Sequence, residues 1–232
     1  MISAIACTNR PSFLSNIIEN FNRQTISDKE LILVFNCSTI EPEYAEYILS
    51  SHQIKFKILL FPEAITLGEC LNHGIQQATY PILAKFDDDD YYGPHYLKEA
   101  VDVLQKTNAE VIGKSTFYVY FDHLQELRLY HPGYENAWIG SDGFHYLHGA
   151  SLIIKRRIWE KIPFSQVNVG EDTLFQKQCF SMKLPMYSTS KLHFAYKRYT
   201  LPNHHTSDMK DQLLIKKSIF IKKTASLFGH ID

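Results

Sequence analysis

Four short apolar runs, residues 2–8, 31–35, 56–61 and 81–86, alternate with stretches in which apolar side chains recur every three or four positions. The runs have strand length, and the spacing between them is that of amphipathic helices. Phe13, Leu14, Ile17, Ile18 and Phe21 mark the first helix, and Pro11 suits its first turn. Residues 43–49 predict a short second helix. Thr66 and Glu69 form a capping box, followed by Leu67, Cys70, Leu71, Ile75 and Ala78 on one face. Pro94 opens a further helix with Leu97, Val101 and Leu104 as its buried stripe. Such alternation over residues 1–105 implies a mostly parallel sheet with helices on both faces. Ligands bind outside the carboxyl ends of the strands in sheets of this kind.

The fourth run ends in Asp87-Asp88-Asp89-Asp90, followed by Tyr91-Tyr92-Gly93-Pro94. Four adjacent carboxylates repel one another unless water or a cation takes up the field. A hard divalent cation prefers such oxygen ligands and often brings a phosphate with it. A solvated acidic turn is the alternative.

The chain of 232 residues suits one domain, or one domain with a sub-lobe. Its net charge of −1 creates no global field to attract nucleic acid or a membrane. Cys7, Cys37, Cys70 and Cys179 form no close-spaced pair, so reduced thiols are expected rather than a disulfide framework or a zinc site. The first residues read as a strand, not a signal peptide. No apolar run approaches the ~20 residues needed to span a bilayer, so a cytoplasmic location is expected.

The second half is less regular. Residues 111–121 read as one strand, 133–148 as a long surface loop, 150–154 as a strand, and 192–199 as another. Ile158 and Trp159 fall on a short basic helix, and Phe175, Cys179 and Met182 on the helix after Gly170-Glu171-Asp172. In residues 207–232, Leu213, Leu214, Phe220, Ile221, Leu227 and Phe228 recur with Lys216, Lys217, Lys222 and Lys223 between them. This predicts a basic amphipathic helix that packs on the domain, joins two copies, or lies on the inner face of a membrane.

Several of these pieces together resemble a family 2 glycosyltransferase of the GT-A fold. They are the loop Thr8-Asn9-Arg10-Pro11, the helix start Gly68-Glu69-Cys70-Leu71-Asn72, the acidic run with Pro94 beyond it, and Glu171-Asp172. The resemblance covers residues 1–206. It implies a Rossmann-like open mixed sheet, with a nucleotide-sugar half (1–105) and an acceptor half (106–206). The phrase Ala84–Pro94, with Gly113-Lys114-Ser115 and His205-Thr206, is similar to a bacterial subgroup associated with cell-envelope or spore-surface glycans.

The resemblance further implies roles. Asp89 is the expected ligand of Mn²⁺ or Mg²⁺, with Asp87 beside it on the metal or ribose, and a late histidine, His205, as third ligand. Asp88 is grouped with the donor site or serves as a local support, and either Asp88 or Asp90 caps the helix after Pro94. Asp172 is the expected general base and Glu171 its neighbour; the alternative for Asp172 is the helix cap. Thr8, Asn9 and Arg10 line the nucleotide pocket, with Asn36, Asn72, Lys85 and Arg198 as further donor contacts. Arg10, Lys85 and Arg198 each face phosphate or merely sit as ordinary surface or strand cations. His148 and Gly149 lie under the acceptor or transferred sugar. Trp138, Tyr146 and Trp159 are stacking candidates, with the core as the better place for Trp159.

Two positions depart from the family pattern. Asn36-Cys37-Ser38 stands where an acidic residue usually meets the base, and an amide both donates and accepts. Leu71 stands where a basic residue is usual, which leaves Lys85 as a substitute phosphate contact. The expected activity is inverting transfer from a nucleoside-diphosphate sugar, UDP first, to a hydroxyl on a glycan, lipid-linked or protein acceptor. One alternative is a nucleotidyltransferase, although residues 7–11 contain no glycine for a phosphate loop. The other is a non-catalytic nucleotide-sugar-binding protein, which only turnover can separate.

Overall fold

A computed structural model describes residues 1–40, 42–51, 54–140, 145–200 and 210–232. In chain order its first half is β1 (Ile2–Thr8), α1 (Leu14–Asn22), β2 (Lys29–Phe35), α2 (Pro42–Ser51), β3 (Phe56–Leu60), α3 (Leu67–Gln77), β4 (Ile82–Phe86), β5 (Tyr91–Tyr92) and α4 (Tyr96–Lys106). The second half is β6 (Val111–Gly113), β7 (Phe117–Phe121), β8 (Glu126–Tyr130), β9 (Ala137–Ile139), β10 (Ile153–Lys155), α5 (Arg156–Trp159), α6 (Glu171–Ser181), β11 (Met186–Ser188), β12 (Phe194–Arg198), α7 (Asp211–Lys216) and β13 (Ser218–Lys223).

The first four strands run parallel in the order β3-β2-β1-β4, as the alternation implies. The sheet continues through β10, β6 and β11 to β9. β10 is antiparallel to both β4 and β6, so the sheet is mixed. Ile2, Ala4 and Ala6 of β1 join one core with residues of α1, α2 and α4, whereas Ile5 joins another with residues of α3, α5 and α6. Helices therefore cover both faces, which is why β1 and β2 read as continuous apolar runs. The capping box forms: Glu69 N–H donates to Thr66 Oγ1 (3.3 Å), and Thr66 N–H donates to Glu69 Oε2 (3.0 Å). All four cysteines are free thiols.

Three expectations change. Residues 111–121 are two strands, because the chain leaves the first sheet at Gly113 and enters a second sheet, ordered β13-β8-β7-β12-β5. The buried Lys114 makes that crossing, its Nζ donating to Glu99, Thr189 Oγ1 and the Ser190 carbonyl. The expected loop 133–148 contains β9, which pairs antiparallel with β11. Finally, the tail is not one amphipathic helix: α7 ends at Lys216, and β13 pairs antiparallel with β8. Ile219, Phe220 and Ile221 are strand-favouring residues, and the ladder on β8 satisfies their backbone. Among the described residues no helix is long and apolar enough to cross a membrane.

Candidate functional site

Because β1, β2 and β4 are parallel, their carboxyl ends share one rim, and the loops after Thr8, Phe35 and Phe86 meet there. Thr8 Oγ1 donates to Asp88 Oδ2 at 2.5 Å, and Arg10 Nε donates to the same oxygen at 3.1 Å. The Arg10 guanidinium also pairs with Asp88 Oδ1, and at 3.1 Å with Asp89 Oδ2. Burial pushes the Asp88 carboxyl up, with Arg10 and Thr8 pulling the other way. Asp88 is therefore tied into the scaffold, while Arg10 reaches across the acidic run. Asn9 is exposed at this rim.

A second set of acids meets the first through Lys85. Its buried Nζ lies 2.6 Å from Asp87 Oδ1 and 3.6 Å from Glu171 Oε1. Burial alone would lower this ammonium, but Asp87, Glu171 and Asp172 outweigh it and hold it well above its ordinary value. Burial pushes the Glu171 carboxyl up, with Lys85 opposing. Gly170, at φ 82°, is the cap of α6, so Asp172 lies inside the first turn rather than capping it. Asp172 Oδ1 accepts from the Thr173 N–H at 2.6 Å. Its carboxylate lies against Gly149, where an added Cβ would fall 1.8 Å from Oδ2. Only glycine admits that approach. Beside it, the Nδ1 of His148 is sealed from water with no partner among the described residues. Burial pushes His148 down to about 4, so it is neutral at pH 7.

The acidic loop is held from beneath by three amides of α1 and its C-terminal end. Asn16 Nδ2 donates to the carbonyls of Asp88 (2.6 Å) and Asp90 (3.0 Å). Asn20 Nδ2 donates to Asp90 O (2.8 Å) while its Oδ1 accepts from Tyr92 N–H (3.0 Å). Gln24 Nε2 donates to Tyr92 O (3.2 Å) and Gly93 O (2.9 Å). Asp87 N–H donates to the Tyr92 hydroxyl, which donates to the Ala150 carbonyl beside Gly149. Tyr199 donates to the Asp89 carbonyl (3.2 Å). Asn16, Asn20, Gln24, Tyr92 and Tyr199 were not among the sequence candidates. A signal existed: polar residues at positions 16, 20 and 24 recur every four residues beside the apolar face of Leu14, Ile17, Ile18 and Phe21.

Other candidates are placed elsewhere. Asp90 is fully buried and accepts from Lys197 N–H (2.9 Å), and the helix after Pro94 has no side-chain cap from any acid of the run. Asn72 joins α3 to the following lobe, donating to Phe164 O and accepting from Phe164 N–H and Trp159 Nε1. Those bonds occupy the amide expected to meet the nucleotide and keep Trp159 in the scaffold. Arg198 is buried against Tyr196 and Asp211, so it anchors α7 where a diphosphate contact was expected. Trp138 is exposed on β9, four strand positions from β4 and so roughly 19 Å away. Tyr146 meets Phe180 edge-on and not the acids. Asn36 stays at the rim, with Nδ2 donating to Ile65 O at 3.4 Å. His205 lies outside the described residues. Among those residues, no three His, Cys, Asp or Glu side chains surround one point.

The sequence signature of Glycosyl transferase family 2 matches residues 4–164. The chain belongs to that family. It is 23% identical over 120 residues to the amylovoran biosynthesis glycosyltransferase AmsE of Erwinia amylovora, covering 52% of this chain. It is 28% identical over 117 residues to the O-antigen biosynthesis glycosyltransferase WbnJ of Escherichia coli, covering 49% of this chain. The matched segments span 45% of the length of each of these relatives. S. aureus TarS 1–349, solved in complex with UDP-GlcNAc, superposes with a TM-score of 0.66 at 15% identity, covering 90% of this chain and 61% of TarS. The mannosyltransferase PcManGT from Pyrobaculum calidifontis, solved with GDP-Man and Mn²⁺, gives 0.65 at 14% identity, covering 88% and 58%. At such identities the likeness bears on the fold, and the expected GT-A architecture stands.

Proposed function

We propose that this chain transfers a sugar from a nucleoside-diphosphate donor to a hydroxyl of a bacterial surface glycan acceptor, with inversion. The observation that carries this reading is the Lys85 bridge, which brings Asp87 of the donor rim within one side chain of Glu171 and Asp172. Acids on two sides of one cleft are what an in-line displacement needs. Asp172 takes the acceptor proton, Gly149 leaves room for its carboxylate, and Glu171, held by Lys85, fixes the start of α6. The relatives that act in amylovoran and O-antigen biosynthesis support a glycan acceptor.

Asp87 and Asp89 offer hard carboxylate oxygens and fit a divalent cation of the Mg²⁺ or Mn²⁺ class, His205 being a third candidate ligand. When bound, such a cation neutralises the charge that builds on the departing β-phosphate. Arg10, which reaches Asp89, adds a fixed positive charge at the same rim. Asn36 offers a base edge both kinds of partner: one N–H donates to Ile65 O, which leaves the other N–H and Oδ1 at the rim. Thr8 and Asn9 line the same pocket, and Asp88 supports it through Arg10.

The test is a panel of nucleotide sugars assayed for metal-dependent turnover, with UDP sugars expected to respond first. Asp172→Asn is expected to keep donor binding by calorimetry and to lose about 10²–10⁴-fold in kcat. Donor binding without turnover by the unmodified chain on every acceptor class would defeat the proposal, as would pyrophosphate release from a nucleoside triphosphate.

A further inference from the structure

The free edge of the second sheet carries a surface that transfer chemistry does not use. β13 is the terminal strand in the order β13-β8-β7-β12-β5, so one side of its backbone has no ladder partner among the described residues. Three consecutive residues there, Ile219, Phe220 and Ile221, are 55%, 47% and 44% exposed. Leu213 before them and Phe228 after them are exposed as well. Exposed apolar residues are ordinary when scattered, but a run of this kind marks a contact surface.

Charge identifies the partner. Residues 212–231 contain Lys216, Lys217, Lys222 and Lys223 and no Asp or Glu, in a chain whose net charge is −1. Lys216, Lys217 and Lys223 are exposed and meet no carboxylate among the described residues. Lys222 Nζ lies 2.5 Å from His230 Nδ1 and meets no carboxylate among the described residues. The nearby acids are engaged: Glu126, opposite Lys223 in the ladder, pairs with Arg128, and Asp211 pairs with Arg198. A second copy added edge to edge would bring two such sets of ammoniums to one seam, the arrangement by which lysines keep edge strands apart. An anionic lipid surface neutralises the same charges and accepts the apolar side chains between them.

We infer that β13 and its flanks dock this chain on an anionic phospholipid surface, with Ile219 and Ile221 entering the interface and the four lysines meeting lipid phosphates. This rests on the tail alone and stands apart from the catalytic reading. The test is co-sedimentation of the full chain with phosphatidylcholine vesicles and with vesicles containing about 30% phosphatidylglycerol. Binding to the anionic vesicles only, lost at about 0.5 M salt, is expected. Each lysine near such a surface is worth roughly a fivefold gain, so Lys222→Gln with Lys223→Gln is expected to weaken binding about 25-fold. Ile219→Ser with Ile221→Ser is expected to weaken it too, while both variants melt and bind nucleotide as the parent does. No binding to anionic vesicles, equal binding to neutral ones, or indifference to the lysine changes overturns the inference. So does a dimer in sedimentation that Ile219→Ser with Ile221→Ser dissociates.

Discussion

Replacing Lys85 by methionine keeps the buried stem and removes the charge. Its Nζ lies 3.6 Å from a Glu171 carboxylate that belongs to a residue only 4% exposed. At an effective dielectric of about 20, that attraction is roughly 4–5 kcal/mol. Desolvation of the ammonium offsets part of it, and breaking a buried pair costs about 3–5 kcal/mol. The Asp87 arm adds little, because that carboxylate is 36% exposed and screened by water. A loss of about 3 kcal/mol in a domain of this size lowers Tm by roughly 6–12 °C. The sign of the pH dependence follows from Glu171. Burial already raises its carboxyl in the native state, and removing Lys85 raises it further. A carboxyl raised on folding stabilises the native state at low pH, and that stability is lost as pH rises through the folded value. The deficit of Lys85→Met relative to the parent is therefore small near pH 5 and full near pH 8. Thermal melts of both proteins at the two pH values decide it. An equal deficit at both, or a larger one at pH 5, refutes the bridge.

Asn20→Leu keeps the branched shape of a buried side chain but strands the Tyr92 N–H and leaves the Asp90 carbonyl to Asn16 alone, a loss of about 1–3 kcal/mol by urea unfolding; an unchanged midpoint would count against the amide stripe. Gly149→Ala forces Asp172 out of its place, so kcat is expected to fall on the order of 100-fold while nucleotide affinity, read by calorimetry, stays near the parent's. Arg198→Gln releases Asp211 and is expected to cost about 1–3 kcal/mol of stability with donor affinity unchanged. A selective loss of donor affinity there would restore the diphosphate role that its packing against Asp211 argues against.

Residues 1–105 were legible because their signals are local. Apolar runs of strand length, the Thr66 and Glu69 box and the Pro11 start each act over a few residues, and tertiary structure agreed with all of them. The acidic run stood out by residue type, and Glu171-Asp172 by its resemblance to the family pattern. Their connection did not, since Lys85 and Glu171 are far apart in sequence and meet only because β4 lies near the start of α6. The partners of Asn72 and Arg198 were not legible either: Asn72 bonds Phe164 and Trp159, and Arg198 bonds Asp211, contacts that only the tertiary fold brings together. The tail misled because a seven-residue recurrence fits a helix, while Ile219-Phe220-Ile221 fits a strand once β8 offers an edge. Neither pattern alone reveals which edge is vacant.

β10 runs antiparallel beside β4, with Lys85 N–H donating to Leu152 O at 2.9 Å just ahead of β10. The two halves of the molecule are thus rungs of one ladder rather than two bodies joined by a hinge. The span between the carboxyl end of β4 and Gly149, against which Asp172 lies, is set by backbone hydrogen bonds. The register of β10 on β4 thus sets how far the acidic run stands from Asp172.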